Sequence, residues 1–458
     1  MVHVFHIKEK YIALDVNSGC VHVLDELCYD IIKYLCDEGL TPDKVGADEI
    51  CAKFAGKWDS SDIGDAYEDI IALYKDGQLF SEDDYANIAI NMKRNSPVKA
   101  MCLHVAHDCN LRCKYCFADE GAYHRNRELM SVETGKKAMD FLIKHSGKRR
   151  NLEVDFFGGE PLMNFEMVKE VVKYAREQEK IHDKNFRFTI TTNGLLLTDD
   201  KIDYINKEMC NIVLSIDGRK EVNDKVRCRV DGSGSYDSIV PKFLKVAESR
   251  NQDNYYVRGT FTRFNLDFSN DVLHLADLGF KQTSVEPVVS QPDVDYAIRE
   301  EDLPTIYQEY EKLIGEYLDR KKKGEGFNFF HFMIDLDQGP CVIKRLSGCG
   351  AGCEYLAVAP NGDVYPCHQF VGTEEYRMGN LDSEINQDIR NKFESCNVYT
   401  KPKCRDCFAK FYCSGGCMAN ACLLNGDINE PHEISCKLQR KRVECSLYAK
   451  AVEAEWEE

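Results

Sequence analysis

The stretch Cys109-Asn-Leu-Arg-Cys113-Lys-Tyr-Cys116-Phe117 places three cysteines at the spacing C-x3-C-x2-C. It follows residues 100–106, an apolar run that predicts a buried β-strand. Three thiolates can bind three irons of a [4Fe–4S] cube, and full ligation by protein would require a fourth cysteine. Structural metal sites close their coordination and catalytic sites keep a position open, a rule for zinc that we extend to this cluster. The spacing therefore predicts a catalytic iron–sulfur site.

Strands and helices alternate in the sequence that follows. Strands are predicted near residues 100–106, 152–157, 186–192, 212–217, 255–261 and 283–287, with helical patterns between them and a long amphipathic helix at 303–323. Such alternation predicts a parallel sheet with right-handed crossovers. Six strands are too few for a closed eight-stranded barrel. The predicted fold class is thus α/β, with a partial (β/α)6 barrel.

Polar residues follow successive predicted strands. Gly158-Gly159-Glu160-Pro161 ends the second strand, Thr191-Thr192-Asn193-Gly194 the third, and Ser215-Ile-Asp217-Gly218 the fourth. Ligands of open α/β sheets bind at the carboxyl ends of their strands. Taken alone, the glycine pair could be only a turn that leaves the strand, but its position beside the cysteine loop favours a binding site.

The cysteine loop resembles the signature of radical S-adenosylmethionine (SAM) enzymes, and Gly158-Gly159-Glu160 resembles their GGE motif. The resemblance implies that these glycines let the backbone approach the methionine part of SAM, and that Glu160 holds its ammonium group. It also implies SAM contacts for Ser215 at the ribose or methionyl part, Arg227 at the carboxylate, Phe117 at the adenine, and Tyr115 and Asp217 beside them.

A second set of cysteines lies in the C-terminal third: Cys349, Cys367, Cys404, Cys407, Cys413, Cys417 and Cys436. Any C-x2-C with a later pair is also compatible with zinc. The complete series resembles the SPASM extension of radical SAM enzymes, which carries auxiliary [4Fe–4S] clusters. The resemblance implies one cluster on Cys404, Cys407, Cys413 and Cys436, a nearer one on Cys349, Cys367 and Cys417, and three clusters in all.

Seven cysteines cannot saturate two cubes. Cys353 or Cys341 could supply the eighth ligand; otherwise the nearer cluster keeps an open iron to which a substrate thiolate could bind. His368, directly after Cys367, could also be a ligand, although a surface or neighbouring role is favoured. The segment after Gly324 has little apolar content, so we expect metal to order it.

Composition narrows the class of partner. The chain has 458 residues, with 59 basic and 77 acidic side chains and a net charge of −18, which argues against a nucleic-acid partner. No apolar run reaches about 18 residues, so no membrane span is expected. The N-terminus does not resemble a signal peptide. We therefore expect a cytoplasmic protein whose 22 cysteines are thiols or metal ligands rather than disulfides.

Three units are predicted, at residues 1–92, 93–325 and 326–458. The first combines a β-hairpin and a further strand with helices around 28–36, 43–54 and 63–76, which suggests a winged-helix-like module. Its acidic charge disfavours DNA binding. It resembles the peptide-recognition element of enzymes that modify ribosomally made peptides, in which a leader peptide adds a strand to the hairpin edge.

This order of units most resembles the maturases of six-cysteine (SCIFF) peptides, which join a cysteine sulfur to a threonine carbon. The implied partners are a cysteine-rich precursor peptide with a leader and an external one-electron reductant. A sulfatase maturase, which oxidises cysteine or serine to formylglycine, is the alternative, with Glu286 as candidate base. A non-catalytic iron–sulfur scaffold is disfavoured because it needs no SAM site.

Overall fold

The structure, a computed structural model, describes residues 1–91, 96–336 and 342–456. The N-terminal elements are β1 (Val2–Ile7), β2 (Lys10–Asp15), β3 (Val21–Leu24), α1 (Glu26–Asp37), α2 (Ala47–Phe54), α3 (Ser60–Lys75) and α4 (Ala86–Asn91). The strands form an antiparallel sheet in the order β1-β2-β3. The helix expected from residue 43 begins only at Ala47, because Pro42–Lys44 form a separate 3₁₀ turn.

The small sheet is buried on both faces. Ala13 packs towards α1 and α3, whereas Ile12 and Leu14 belong to the core of the main body. This division follows from the alternation of side chains along a strand. The sheet is fixed further where the His3 ring stacks on Phe408 with ring centroids 3.5 Å apart.

The central region forms a parallel barrel wall. The wall contains β4 (Ala100–Ala106), β6 (Asn151–Gly158), β7 (Asn185–Thr192), β8 (Asn211–Ser215), β10 (Tyr255–Phe261), β11 (Gln282–Pro287) and β12 (Asn328–Phe329). Two short strands of the same region, β5 (Leu111–Cys113) and β9 (Arg227–Arg229), form a separate antiparallel pair. The helices of this region are α5 (Val132–His145), α6 (Phe165–His182), α7 (Asp199–Glu208), α8 (Lys220–Val226), α9 (Tyr236–Ser249), α10 (Phe268–Asp277) and α11 (Leu303–Lys322). The six predicted strands are present as β4, β6, β7, β8, β10 and β11, all parallel neighbours.

The C-terminal region extends the same sheet. It contains β13 (Tyr355–Val358), β14 (Asp363–Tyr365), β15 (Gly379–Asn380), α12 (Val342–Arg345), α13 (Gln387–Glu394), α14 (Pro402–Arg405), α15 (Lys410–Cys413), α16 (Met418–Asn425) and α17 (Glu433–Ala454). Strand β13 pairs in parallel with β4, so the sheet has ten strands instead of six. Phe370, Tyr376 and Phe393 are buried in a cluster that they share with Tyr123 of the barrel, so this segment packs on the barrel despite its low apolar content.

The inner face of the barrel wall is polar and partly open. Along β6, Val154 and Phe156 are buried in the core while Asp155 and Phe157 on the other face are half-buried. The same alternation continues on β7 and β8. We call the space enclosed by this inner face the lumen. No helix in the described ranges is long and apolar enough to cross a membrane.

Candidate active site

The three cysteines of the first loop surround one cavity at the carboxyl end of β4. Cys109, Cys113 and Cys116 all line this cavity, which encloses about 150 Å³. Strand β5 holds the loop in place by pairing with β9, where Cys113 lies opposite Arg227. The backbone N–H of Leu111 donates to the Cys109 Sγ at 3.4 Å. The predicted ligands are therefore brought together.

The chemistry of these thiols suits an iron–sulfur cluster. Burial raises the pKa of Cys109 to about 11 and that of Cys113 to about 12, so cluster binding must displace their protons. Within the described residues, no three His, Cys, Asp or Glu side chains lie close enough to hold one metal ion. A cubane differs from a single ion because each thiolate binds a separate iron, and three soft donors facing one cavity fit that arrangement.

The glycine pair has a steric role next to this loop. Gly158 has φ +128°, and a Cβ there would lie 2.3 Å from the carbonyl oxygen of Ala106. A Cβ on Gly159 would lie 2.2 Å from the carbonyl oxygen of Asp108. The Gly159 N–H donates to Ala106 O at 2.8 Å. The turn thus packs against the backbone that leads into Cys109, a role in addition to the predicted approach to SAM.

Glu160 is fully buried beneath the cavity and does not line it. Its Oε1 accepts hydrogen bonds from the Leu162 N–H at 3.0 Å and the Thr192 hydroxyl at 2.8 Å. Its Oε2 accepts one from the Asn193 N–H at 2.8 Å. The carboxylate therefore joins the glycine turn to the end of β7, and its contact with SAM stays a prediction.

Arg227 and Tyr115 line the cavity and share a buried network with Asp217. The Tyr115 hydroxyl donates to Asp217 Oδ2 at 2.6 Å, and Arg227 Nη1 donates to the Tyr115 oxygen at 2.7 Å. Arg227 Nη1 also lies 3.6 Å from Asp217 Oδ1. Asp217 itself lies behind the cavity wall. It provides the counter-charge for Arg227, so the structure shows a positioning role for it, and its contact with SAM stays a prediction.

Ser215 and Phe117 complete the predicted cavity wall. Two further residues lie there without having been assigned a role from the sequence. Tyr123 donates from its hydroxyl to Gly158 O at 3.2 Å, and Asn193 Nδ2 lies 3.7 Å from Cys109 Sγ. Asn193 belongs to one of the polar strand ends that the sequence marks, whereas Tyr123 lies in a loop with no sequence signal.

Four C-terminal cysteines converge on a second cavity. Cys404, Cys407, Cys413 and Cys436 line an enclosed space of about 30 Å³. Burial raises the pKa of Cys404 to about 12 and that of Cys436 to about 11. These four come from α14, the following loop, α15 and α17. A closed set of four thiols is the arrangement that a fully ligated cluster requires.

Cys349, Cys367 and Cys417 form a third group. Burial raises the pKa of Cys367, and the neighbouring thiols of Cys417 and Cys349 raise it further. The Asn420 N–H donates to Cys417 Sγ at 3.5 Å. Cys353, one of the two residues suggested as an eighth cluster ligand, donates a hydrogen bond from its thiol to the Arg390 carbonyl oxygen at 3.8 Å. Cys341 lies outside the described residues.

Three histidines lie near the cysteine loop and the C-terminal strands: His104, His107 and His368. His104 and His107 are buried with their facing nitrogens 3.1 Å apart. His368 lies next to the rings of Phe117 and Phe157, with centroids 5.7 and 5.2 Å away. Burial lowers the pKa of His368 to about 4. His368 is partly buried against these two rings, which agrees with the neighbouring role expected for it rather than with a surface position.

Comparisons with known proteins agree with this geometry. Residues 103–253 match the radical SAM superfamily, and residues 349–408 match the SPASM iron–sulfur cluster-binding domain. An uncharacterized protein of Methanocaldococcus jannaschii is 31% identical over 68% of this chain and 96% of its own length. The radical SAM cyclopropyl synthase TigE of Paramaledivibacter caminithermalis is 23% identical over 93% of this chain and 89% of its own. A cysteine-type anaerobic sulfatase-maturating enzyme of Clostridium novyi is 23% identical over 68% of this chain and 86% of its own length.

Solved structures show the same fold. The enzyme anSMEcpe with bound AdoMet covers 78% of this chain and 99% of its own at a TM-score of 0.63 and 17% identity. SuiB of Streptococcus suis, bound to S-adenosylmethionine, covers 95% of this chain and 98% of its own at a TM-score of 0.52 and 15% identity.

A parallel partial barrel with a three-thiol loop at the carboxyl end of its first strand defines an iron–sulfur enzyme that uses SAM. The chain belongs to the radical SAM superfamily and carries a C-terminal SPASM domain. These domains bind [4Fe–4S] clusters and SAM, so the cavity at Cys109, Cys113 and Cys116 is the candidate site of radical formation.

Proposed function

We propose that this enzyme joins a cysteine sulfur to a threonine carbon in a ribosomally made six-cysteine peptide. The observation that carries the proposal is the contrast between the two C-terminal thiol groups. One has four cysteines around a closed cavity, and the other gathers Cys349, Cys367 and Cys417. Three thiolates leave one iron of a cube without a protein sulfur, and a soft iron site prefers a thiolate. A cysteine of the peptide suits that position.

The proposed cofactors are three [4Fe–4S] clusters and SAM. The first cluster would be held by Cys109, Cys113 and Cys116, and the others by the two C-terminal groups. With an external one-electron reductant, the first cluster and SAM would supply radical chemistry for removing hydrogen from the peptide. Gly158, Gly159 and Ser215 would bind SAM beside Tyr115 and Phe117, with Arg227 at its carboxylate and Glu160 at its ammonium group.

The protein residues supply position and protection. Tyr115 and Asp217 hold the Arg227 guanidinium at the cavity wall, so SAM meets a charge already in place. The aromatic rings of Phe157 and Tyr123 line the cavity and would limit the access of water to bound SAM. The polar lumen beneath can receive a peptide segment.

The N-terminal sheet is proposed to bind the leader of the precursor peptide. In the part of the chain that the structure describes, no strand pairs with the outer edge of β3, where Val23 is half exposed. Strand β1 instead contacts α17. An extended leader can therefore add to β3 by main-chain hydrogen bonds. The SuiB fold covers this module as well as the barrel. The thiol-rich composition fits a reducing compartment, and we propose the cytoplasm.

Mass spectrometry of a six-cysteine peptide with its leader tests the proposal. The peptide is incubated anaerobically with reconstituted enzyme, SAM and a reductant. Each crosslink should remove two hydrogens, resist thiol reduction and leave one fewer cysteine to alkylate. SAM cleavage with an unmodified peptide would refute the substrate and retain the enzyme class. A Cys109→Ala variant is the control that should abolish both reactions.

A second candidate is oxidation of a peptide cysteine or serine to formylglycine. It is favoured by the likeness to the sulfatase-maturating enzyme of Clostridium novyi over 68% of the chain. A short peptide with one cysteine distinguishes the two functions, because an aldehyde that reacts with hydrazide would appear there without any crosslink.

A further inference from the structure

Glu286 and Asp155 both lie on the inner face of the barrel, and the structure gives them different surroundings. Glu286 on β11 lies 2.9 Å from the guanidinium Nη2 of Arg258. Burial favours its protonated form, yet Arg258, His331 and Arg442 together hold the pKa of Glu286 below its usual value. A carboxylate that is already paired with a cation is a weak proton acceptor. Glu286, the base suggested by the sequence, is therefore unsuited to the role.

Asp155 on β6 lies closer to the SAM cavity than Glu286 does, and it forms no ion pair within the described residues. It shares a strand face with Phe157 and hydrogen-bonds the Thr191 side chain, and both of those residues line the cavity. Its Oδ1 is buried and has no hydrogen-bond partner in the described structure. A buried carboxylate oxygen without a donor is costly unless a ligand supplies one.

The groups that face Asp155 come from three other strands and a loop. They are Cys102 on β4, Arg258 on β10, Tyr355 on β13 and Tyr123 after the cysteine loop. Burial raises the pKa of Asp155 to about 7, against the opposing effects of Arg258 and Thr191. Near neutral pH this carboxyl group can thus both take up and release a proton.

We propose that Asp155 is the catalytic base that accepts the proton of the peptide cysteine. The S–H bond breaks, the proton moves to a carboxylate oxygen of Asp155, and the electron pair stays on sulfur as a thiolate. No oxidant is needed for this step. The inference rests on the proposed function, because it requires a peptide thiol in the lumen. A free thiol has a pKa of about 8.5, so proton transfer from it to a carboxylate whose pKa is near 7 is only slightly unfavourable.

The test compares Asp155→Asn with Glu153→Gln in the reconstituted enzyme. Glu153 lies on the same strand and face but at the opposite end of the barrel, in a different cavity. Asp155→Asn should cleave SAM at a rate within about threefold of wild type and form thioether about 100-fold more slowly. Glu153→Gln should match wild type in both. Product formation by wild type should rise with pH through a value near 7, and this rise should be missing in Asp155→Asn.

An infrared titration of the protein without SAM or reductant gives a readout independent of turnover. Wild type should show a carboxylic acid C=O band that disappears near pH 7, and Asp155→Asn should lack it. The proposal is overturned if that band is absent, if Asp155→Asn forms thioether normally, or if it loses SAM cleavage in parallel with product. If wild type leaves the six-cysteine peptide unmodified, the proposed function fails instead. The same variants are then compared on the single-cysteine peptide, whose oxidation also removes a thiol proton.

Discussion

Replacing Arg227 with methionine should destabilise the barrel because it leaves Asp217 buried without a counter-charge. Asp217 is fully buried and Arg227 is about nine-tenths buried, with 3.6 Å between Nη1 and Oδ1. Two unit charges at that separation attract by about 4.6 kcal/mol at an effective dielectric constant of about 20. Breaking a buried pair from one side costs about 3–5 kcal/mol, in agreement with that figure.

The assay is thermal unfolding of the reconstituted protein. For a domain of 150–250 residues, 1 kcal/mol corresponds to about 2–4 °C, so Arg227→Met should lower Tm by about 6–20 °C. Adding Asp217→Asn should restore most of the loss, since the unpaired charge is then absent. The control is Arg150→Met, because Arg150 pairs with Asp183 at an exposed surface. It should change Tm by less than about 2 °C.

A fall of less than 2 °C for Arg227→Met would refute the buried-pair reasoning. A double variant as unstable as Arg227→Met would also contradict it, because the loss would then come from packing alone. Neither double nor single variant should bind SAM tightly, since both lack the guanidinium.

Three further substitutions test other parts of the structure. Gly159→Ala places a Cβ 2.2 Å from Asp108 O, so it should lower the free energy of unfolding by about 1–3 kcal/mol and reduce the iron bound at the first site. Its control is Gly64→Ala, which has no atom within 4 Å of the added Cβ and should keep full iron content. Cys413→Ser should remove about four irons per chain in a colorimetric iron assay, and equal iron in variant and wild type would contradict the four-thiol site. Asp83→Asn removes the 2.9 Å ion pair with buried Lys410 and should cost about 1.5–3 kcal/mol at pH 7 in denaturant titrations. Burial opposes ionisation of Asp83, but Lys410 and Tyr399 hold its pKa below the usual value. The stabilisation by this ion pair is therefore complete above about pH 4 and is lost as pH falls through the folded-state pKa. A difference in unfolding free energy between wild type and Asp83→Asn that stays constant below about pH 4 would contradict the assignment.

The parallel barrel could be predicted because local patterns mark its strands. Alternation or apolar runs identify β4, β6, β7 and β10 almost to the residue. The extension by β13, β14 and β15 could not be foreseen. Four residues such as Tyr355–Val358 carry too weak a signal among glycines and cysteines, and pairing with the free edge of β4 depends on contacts about 250 positions apart.

The candidate site also has a part that could be predicted from the sequence and a part that could not. Cysteine spacing is a local feature, so all three thiol groups could be grouped from the sequence by resemblance. The role of Asp217 could not, because it depends on Arg227 and Tyr115 meeting it across two loops. The difference in pKa between Glu286 and Asp155 likewise could not be predicted, because it depends on Arg258 forming an ion pair with Glu286 and none with Asp155.

Hydrogen transfer from peptide to SAM tests the central claim most directly. The six-cysteine peptide, with its threonines fully deuterated, is incubated with reconstituted enzyme, SAM and reductant, and the 5′-deoxyadenosine formed is analysed by mass spectrometry. We expect deuterium in 5′-deoxyadenosine in proportion to the thioether formed. Unlabelled 5′-deoxyadenosine in every incubation, with the peptide unchanged, would contradict the account of a radical directed into the lumen at a peptide threonine.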